Sequence, residues 1–98
     1  MFKIWARTMS GDKIIKSRVF PFDGAYKRAD FYAYLTHICE AIDIPVPVVL
    51  KKHTLHFEKF NNSRFLPSDF VEAVDFSAFI IENTPSADKK PKNLDLYI

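Results

Sequence analysis

The chain has 98 residues, enough for one hydrophobic core and too few for two. Hydrophobic residues make up 48% and ten are phenylalanine, which excludes a chain disordered by composition, while its short apolar runs exclude a membrane-spanning helix. A formal net charge of +2 hides a division: residues 1–28 hold seven Lys/Arg against two acids, and residues 65–88 hold five acids and no base.

In chain order, the first elements are two strands, Phe2 to Met9 and Lys13 to Phe22. Gly11-Asp12 between them suits a two-residue type II′ turn, which takes glycine first. Straight pairing through that turn sets Thr8 opposite Ile15, Ala6 opposite Ser17 and Ile4 opposite Val19, giving one mainly apolar face. The other face then carries Lys3, Trp5, Arg7, Lys16 and Arg18, with Arg7 and Lys16 both pointing outward.

After Phe22-Asp23-Gly24 a helix is expected over residues 28–43, with Phe31, Tyr34, Leu35, Ile38 and Ile42 as its apolar stripe. Pro45 ends it, and Pro47 suits the first turn of a second helix over Val48 to Phe60. On that helix His53 falls among Val49, Leu50, Phe57 and Phe60. Asn61-Asn62-Ser63-Arg64 stops it. Pro67-Ser68 with Asp69 and Glu72 suggests a short helical turn, and Val74 to Asn83 reads as a strand.

The order ββααβ predicts an α+β two-layer domain over residues 1–83, a small, mainly antiparallel sheet packed on two helices. Residues 84–98 form a polar tail. Within it Leu94, Leu96 and Ile98 alternate with Asp95 and Tyr97, the period of an added strand that docks on a sheet edge.

The cationic hairpin face is the first candidate site. Arg7 opposite Lys16 is an unfavourable like-charge pair. Water and salt, carboxylates from the acidic half of the chain, or an external anion would relieve it, and internal pairing is the expectation for much of it. Single-stranded nucleic acid fits as the external anion, because Trp5 would stack a base while Lys and Arg follow the backbone.

His53 and His56 are spaced i, i+3 and are weak metal candidates, since no third or fourth ligand accompanies them; a neutral core imidazole is the ordinary role of His53. Cys39 flanks the first helix's stripe, and His37 two residues away does not face it, so Cys39 is expected as a small buried hydrophobe. With glycine only at positions 11 and 24 there is no phosphate-cradling loop, and no cofactor is expected. Nothing brings Asp69, Glu72, Asp75 and Glu82 together for acid–base work. A metal- or thiol-dependent enzyme using His53, His56 and Cys39 ranks below both binding functions.

The stretches "IPVPVVLKKH" and "RFLPSDFVEAVDF" resemble a group of small uncharacterised bacterial proteins, over roughly residues 2–83. The resemblance implies a free-standing bacterial cytosolic protein and transfers no activity or ligand. A cytosolic setting is also the expectation from a single cysteine and from a start, Met1 to Arg7, without a signal peptide's apolar region. The function expected is a non-enzymatic protein-interaction or self-associating module that uses its open sheet face or edge, with nucleic-acid binding through the hairpin face as the alternative.

Overall fold

The computed structural model describes residues 1–84. Its first elements are β1 (Phe2–Ser10) and β2 (Lys13–Phe22). Gly11 takes φ +60 while Asp12 stays at negative φ, as a type II′ turn requires. Next to the turn, Ser10 pairs with Lys13 and Met9 with Ile14. There the straight register stops. Thr8 pairs with Lys16, so Ile15 is an extra residue, and beyond it Ala6 faces Arg18, Trp5 faces Val19 and Ile4 faces Phe20. This is a β-bulge, held where the Lys16 N–H donates to Thr8 Oγ1 at 3.2 Å.

The bulge overturns the expected pairing, and apolar burial explains it. Without it, Phe20 and Phe22 would point away from the helices and Ile15 and Val19 toward them. With it, Phe20 is buried and Phe22 stacks on Phe2 at 5.4 Å, while Ile15 and Val19 are left half exposed. Two aromatic rings bury more area than two aliphatic side chains, at about 25 cal/mol per Å². Lys16 and Arg18 therefore share the helix-side face with Thr8 and Ala6, not the open face with Trp5 and Arg7.

Helix α1 (Phe31–Ala41) follows a 3-10 turn, Arg28–Asp30. Phe31, Leu35 and Ile38 of the expected stripe are buried on it, with Cys39 buried beside them and Tyr34 partly buried. It ends in a Schellman motif: Asp43 sits at φ 61, its N–H donates to Glu40 O, and the Ile44 N–H donates to Cys39 O at 3.0 Å. Helix α2 (Lys51–Phe60) starts three residues later than expected, because residues 44–50 run without regular structure. His53 and Phe57 are its buried residues, whereas Leu50 and Phe60, expected on the apolar side, are about half exposed.

Asn61 at φ 64 closes α2 and turns the chain directly into β3 (Asn62–Phe65), a strand that the polar run Asn61 to Arg64 does not announce. Ser63 and Phe65 face inward, and the strand is recruited by pairing with β4 (Ala78–Thr84), Ser63 to Ile81 and Phe65 to Phe79. The turn expected at Pro67 is a 3-10 turn, Pro67–Asp69. β4 begins at Ala78, four residues later than expected, and lies between β1 and β3, so the antiparallel sheet runs β2-β1-β4-β3. The domain is α+β. Residues 85–98, which hold most of the expected tail and its Leu94, Leu96 and Ile98, lie outside the described residues.

The core joins Phe2, Ile4, Ala6 and Phe20 of the hairpin to Phe31, Leu35 and Ile38 of α1, Phe57 of α2, and Phe65, Phe79 and Ile81. Phe79 is fully buried on an interior strand. Phe79→Ala is expected to cost about 3–5 kcal/mol, and Val71→Ala, at a site 89% exposed, less than about 0.5 kcal/mol, both measured by urea unfolding.

Candidate functional site

The alternation of β1 puts Lys3, Trp5 and Arg7 on the face away from the helices, each half-buried. Their cross-strand partners there are Pro21, Val19 and Ser17 on β2 and Thr84, Glu82 and Ile80 on β4. Trp5 Nε1–H donates to Ser17 Oγ at 2.7 Å. The Arg7 guanidinium lies 3.9 Å from the Trp5 ring centroid and bonds Glu82 Oε1 at 3.3 Å. One acid from the acidic half of the chain thus neutralises the central cation of this face. Trp5, Arg7, Ser17 and Glu82 form a fixed aromatic and guanidinium platform with its polar groups already partnered.

Lys16 and Arg18 lie elsewhere. Lys16 Nζ donates to Ile42 O at 2.7 Å and to Asp43 O at 3.4 Å, placing an ammonium at the electronegative end of α1. Arg18 sits over the Phe20 ring, 5.1 Å from its centroid, and stays exposed. The five residues expected on one face are divided three and two, and the Trp5 ring carries Arg7 on one side. Trp5 and Arg7 lie on one face of the sheet and Lys16 and Arg18 on the other.

Beside Lys16 a groove of ≈590 Å³ runs between the hairpin and the loops after α1 and before β4, lined by Ile15, Ile44, Val74 and Phe76 with Asp43 and Asp75. Its one cation, Lys16, already bonds the Ile42 and Asp43 carbonyls just past α1.

A second polar centre surrounds His53, which is 3% exposed and stacks on Phe65 at 4.2 Å. Nδ1 accepts the Leu50 N–H at 2.8 Å, satisfying a donor that α2 leaves free at its start. An accepting Nδ1 leaves the proton of the neutral ring on Nε2. Asp69 Oδ2 lies 3.5 Å from Nε2, too far for a strong bond, and instead accepts the Leu66 N–H at 2.8 Å. Burial lowers the His53 pKa below its ordinary value, and the nearby Asp69 carboxylate only partly opposes this.

Other candidates stay apart. Burial pushes the Cys39 thiol up to about 12, which makes it inert as a nucleophile. His56 is exposed, and no cluster of three metal-ligating side chains exists among the described residues. The carboxylates do not converge: Glu82 faces Arg7, Asp69 caps Leu66 and Asp75 lines the groove. Sequence patterning also gives no sign of a cluster in which Glu58 accepts bonds from Tyr26 Oη at 2.9 Å and Arg28 Nε at 2.8 Å. Burial first, then the bond to Glu58, raises the Tyr26 pKa.

Comparison of the chain with protein-family models, curated proteins and solved structures finds no match. No helix among the described residues is long and apolar enough to cross a membrane.

The unfolded state of His53 titrates near 6.5 and the folded state lower, so the unfolded chain binds more protons between the two values. The His53 contribution is complete above pH 6.5 and is lost as pH falls through that window toward the folded value. Urea midpoints measured against pH should show this decline, and His53→Asn should flatten it. Arg7→Glu sets two carboxylates together and uncovers Trp5, at a cost of about 1 kcal/mol; adding Glu82→Arg should recover part of it in a double-mutant cycle.

Proposed function

We propose that the chain is a non-enzymatic interaction module that receives an extended, acidic segment of a protein along the outer edge of β2. The observation that carries this is the inequality of the two sheet edges. β2 has ten residues and is exposed from Lys13 to Val19, whereas β3 has four and packs against α2. An open edge offers alternate N–H and C=O groups to an added strand.

Side chains along the edge define the partner. Ile14, Ile15 and Val19 are 49–50% exposed, and Lys13, Lys16 and Arg18 stand among them with no acid between Lys13 and Phe22. The cations oppose pairing with another β2 and favour a segment that alternates carboxylates with apolar residues. The bulge at Ile15 and the missing N–H of Pro21 confine regular pairing to the stretch between them. Ser17 and Val19 continue the edge onto the platform of Trp5 and Arg7, residue types that supply binding energy at protein interfaces. Residues 65–88 hold five acids and no base, so a second copy of the chain also carries acidic segments.

Titrating the chain with a short peptide of alternating Glu and Val, read by Trp5 fluorescence, tests this. Saturable, salt-sensitive binding is expected, weakened about tenfold or more by Lys13→Glu with Arg18→Glu, both at exposed sites. Absence of binding, or equal binding by the variant, overturns it. A mass that rises with concentration in wild type alone assigns the acidic segment to a second copy, and a preference for a single-stranded oligonucleotide over the peptide overturns the protein partner.

A further inference from the structure

We propose that the cleft between α2 and β3 is a binding site for a phosphate-class oxyanion. Lys52, His53, His56, Ser63 and Arg64 line this cleft of ≈240 Å³. Local geometry gathers them: positions 52, 53 and 56 lie along one side of α2, and Asn61 turns the chain so tightly that β3 returns beside the helix it follows.

Two buried side-chain polar atoms have no hydrogen-bond partner among the described residues, His53 Nε2 and Ser63 Oγ. Both residues line this one cleft, and they are only 3% and 1% exposed. A buried polar group without a partner is costly, so two in one place point to something that binds them.

The donors identify its charge. Leu50 N–H occupies the Nδ1 lone pair, so Nε2 of the neutral ring carries a proton and has no lone pair for a metal. Ser63 has a hydroxyl proton to give, Lys52 and His56 are exposed on α2, and Arg64, which alternates away from Ser63, is exposed on the adjoining edge strand. No acid lines the cleft. The nearest carboxylate, Asp69, is engaged by Leu66 N–H and offsets one of the two permanent cations. Donors at the base and cations at the rim suit a compact acceptor anion, and phosphate accepts from several directions at once. A water would satisfy the two orphaned atoms but would not account for the cations.

The test is an amide- and histidine-resolved NMR titration of the full chain at pH 7.5, above the ordinary imidazole value of 6.5, where His53 is neutral. Inorganic phosphate and phenyl phosphate are the probes, with sodium chloride at matched ionic strength as control. Saturable shifts at Lys52, Ser63 and the His53 ring are expected. They should weaken about tenfold or more in Ser63→Ala, which removes only a hydroxyl, and in Arg64→Gln, which changes an exposed residue. Tighter binding of phenyl phosphate assigns the site to a phosphoryl group on a larger molecule, and tighter binding of inorganic phosphate to the free ion. Shifts that follow ionic strength alike in chloride and phosphate, or equal affinity in both variants, overturn the site and leave a bound water only.

Discussion

Burial of Phe20 and Phe22 is the constraint on which the sheet depends. Both rings must face the helices together with Phe2 and Ile4, and the turn at Gly11-Asp12 by itself would point them the other way. One extra residue, Ile15, reconciles the turn with the core. The consequence reaches every side chain of β2, because a one-residue slip in a strand exchanges its two faces. Val19 and Ser17 move to the open face, Lys16 and Arg18 to the helix side, and a single patch of positive charge becomes two separate features.

The division also settles where the charge goes. Strand β4 enters the sheet between β1 and β3 and sets Glu82 beside Trp5, within reach of Arg7. Lys16, redirected by the bulge, meets the carbonyl end of α1, where a left-handed Asp43 turns two carbonyls toward it. One cation is answered by a carboxylate and the other by a helix terminus. Each therefore has a partner within the chain.

The other end of the sheet has a different logic. The start of α2 and the turn at Pro67 each lack a conventional oxygen cap, since Leu50 and Leu66 hold the capping positions. Side chains three residues later, His53 and Asp69, reach back to their N–H groups. That use of Nδ1 fixes the ring's tautomer and leaves its remaining donor, Nε2, buried on the side of Asp69, so a capping requirement places a polar group in the interior.

Elements whose signals are local are legible in the chain alone: the hairpin turn at Gly11-Asp12, the apolar stripe of α1, the turn at Pro67 and the burial of His53 and Cys39. Periodicity and backbone preference act over a few residues, so these are legible without a fold. Tertiary structure alone decided the bulge, the strand β3 and the partners of the cations. The bulge answers a competition between a turn and a distant core. β3 has only Ser63 and Phe65 facing inward and becomes a strand because β4 offers it a ladder. Glu82 is 75 residues from Arg7, and no local pattern specifies which distant carboxylate a strand brings to a given face.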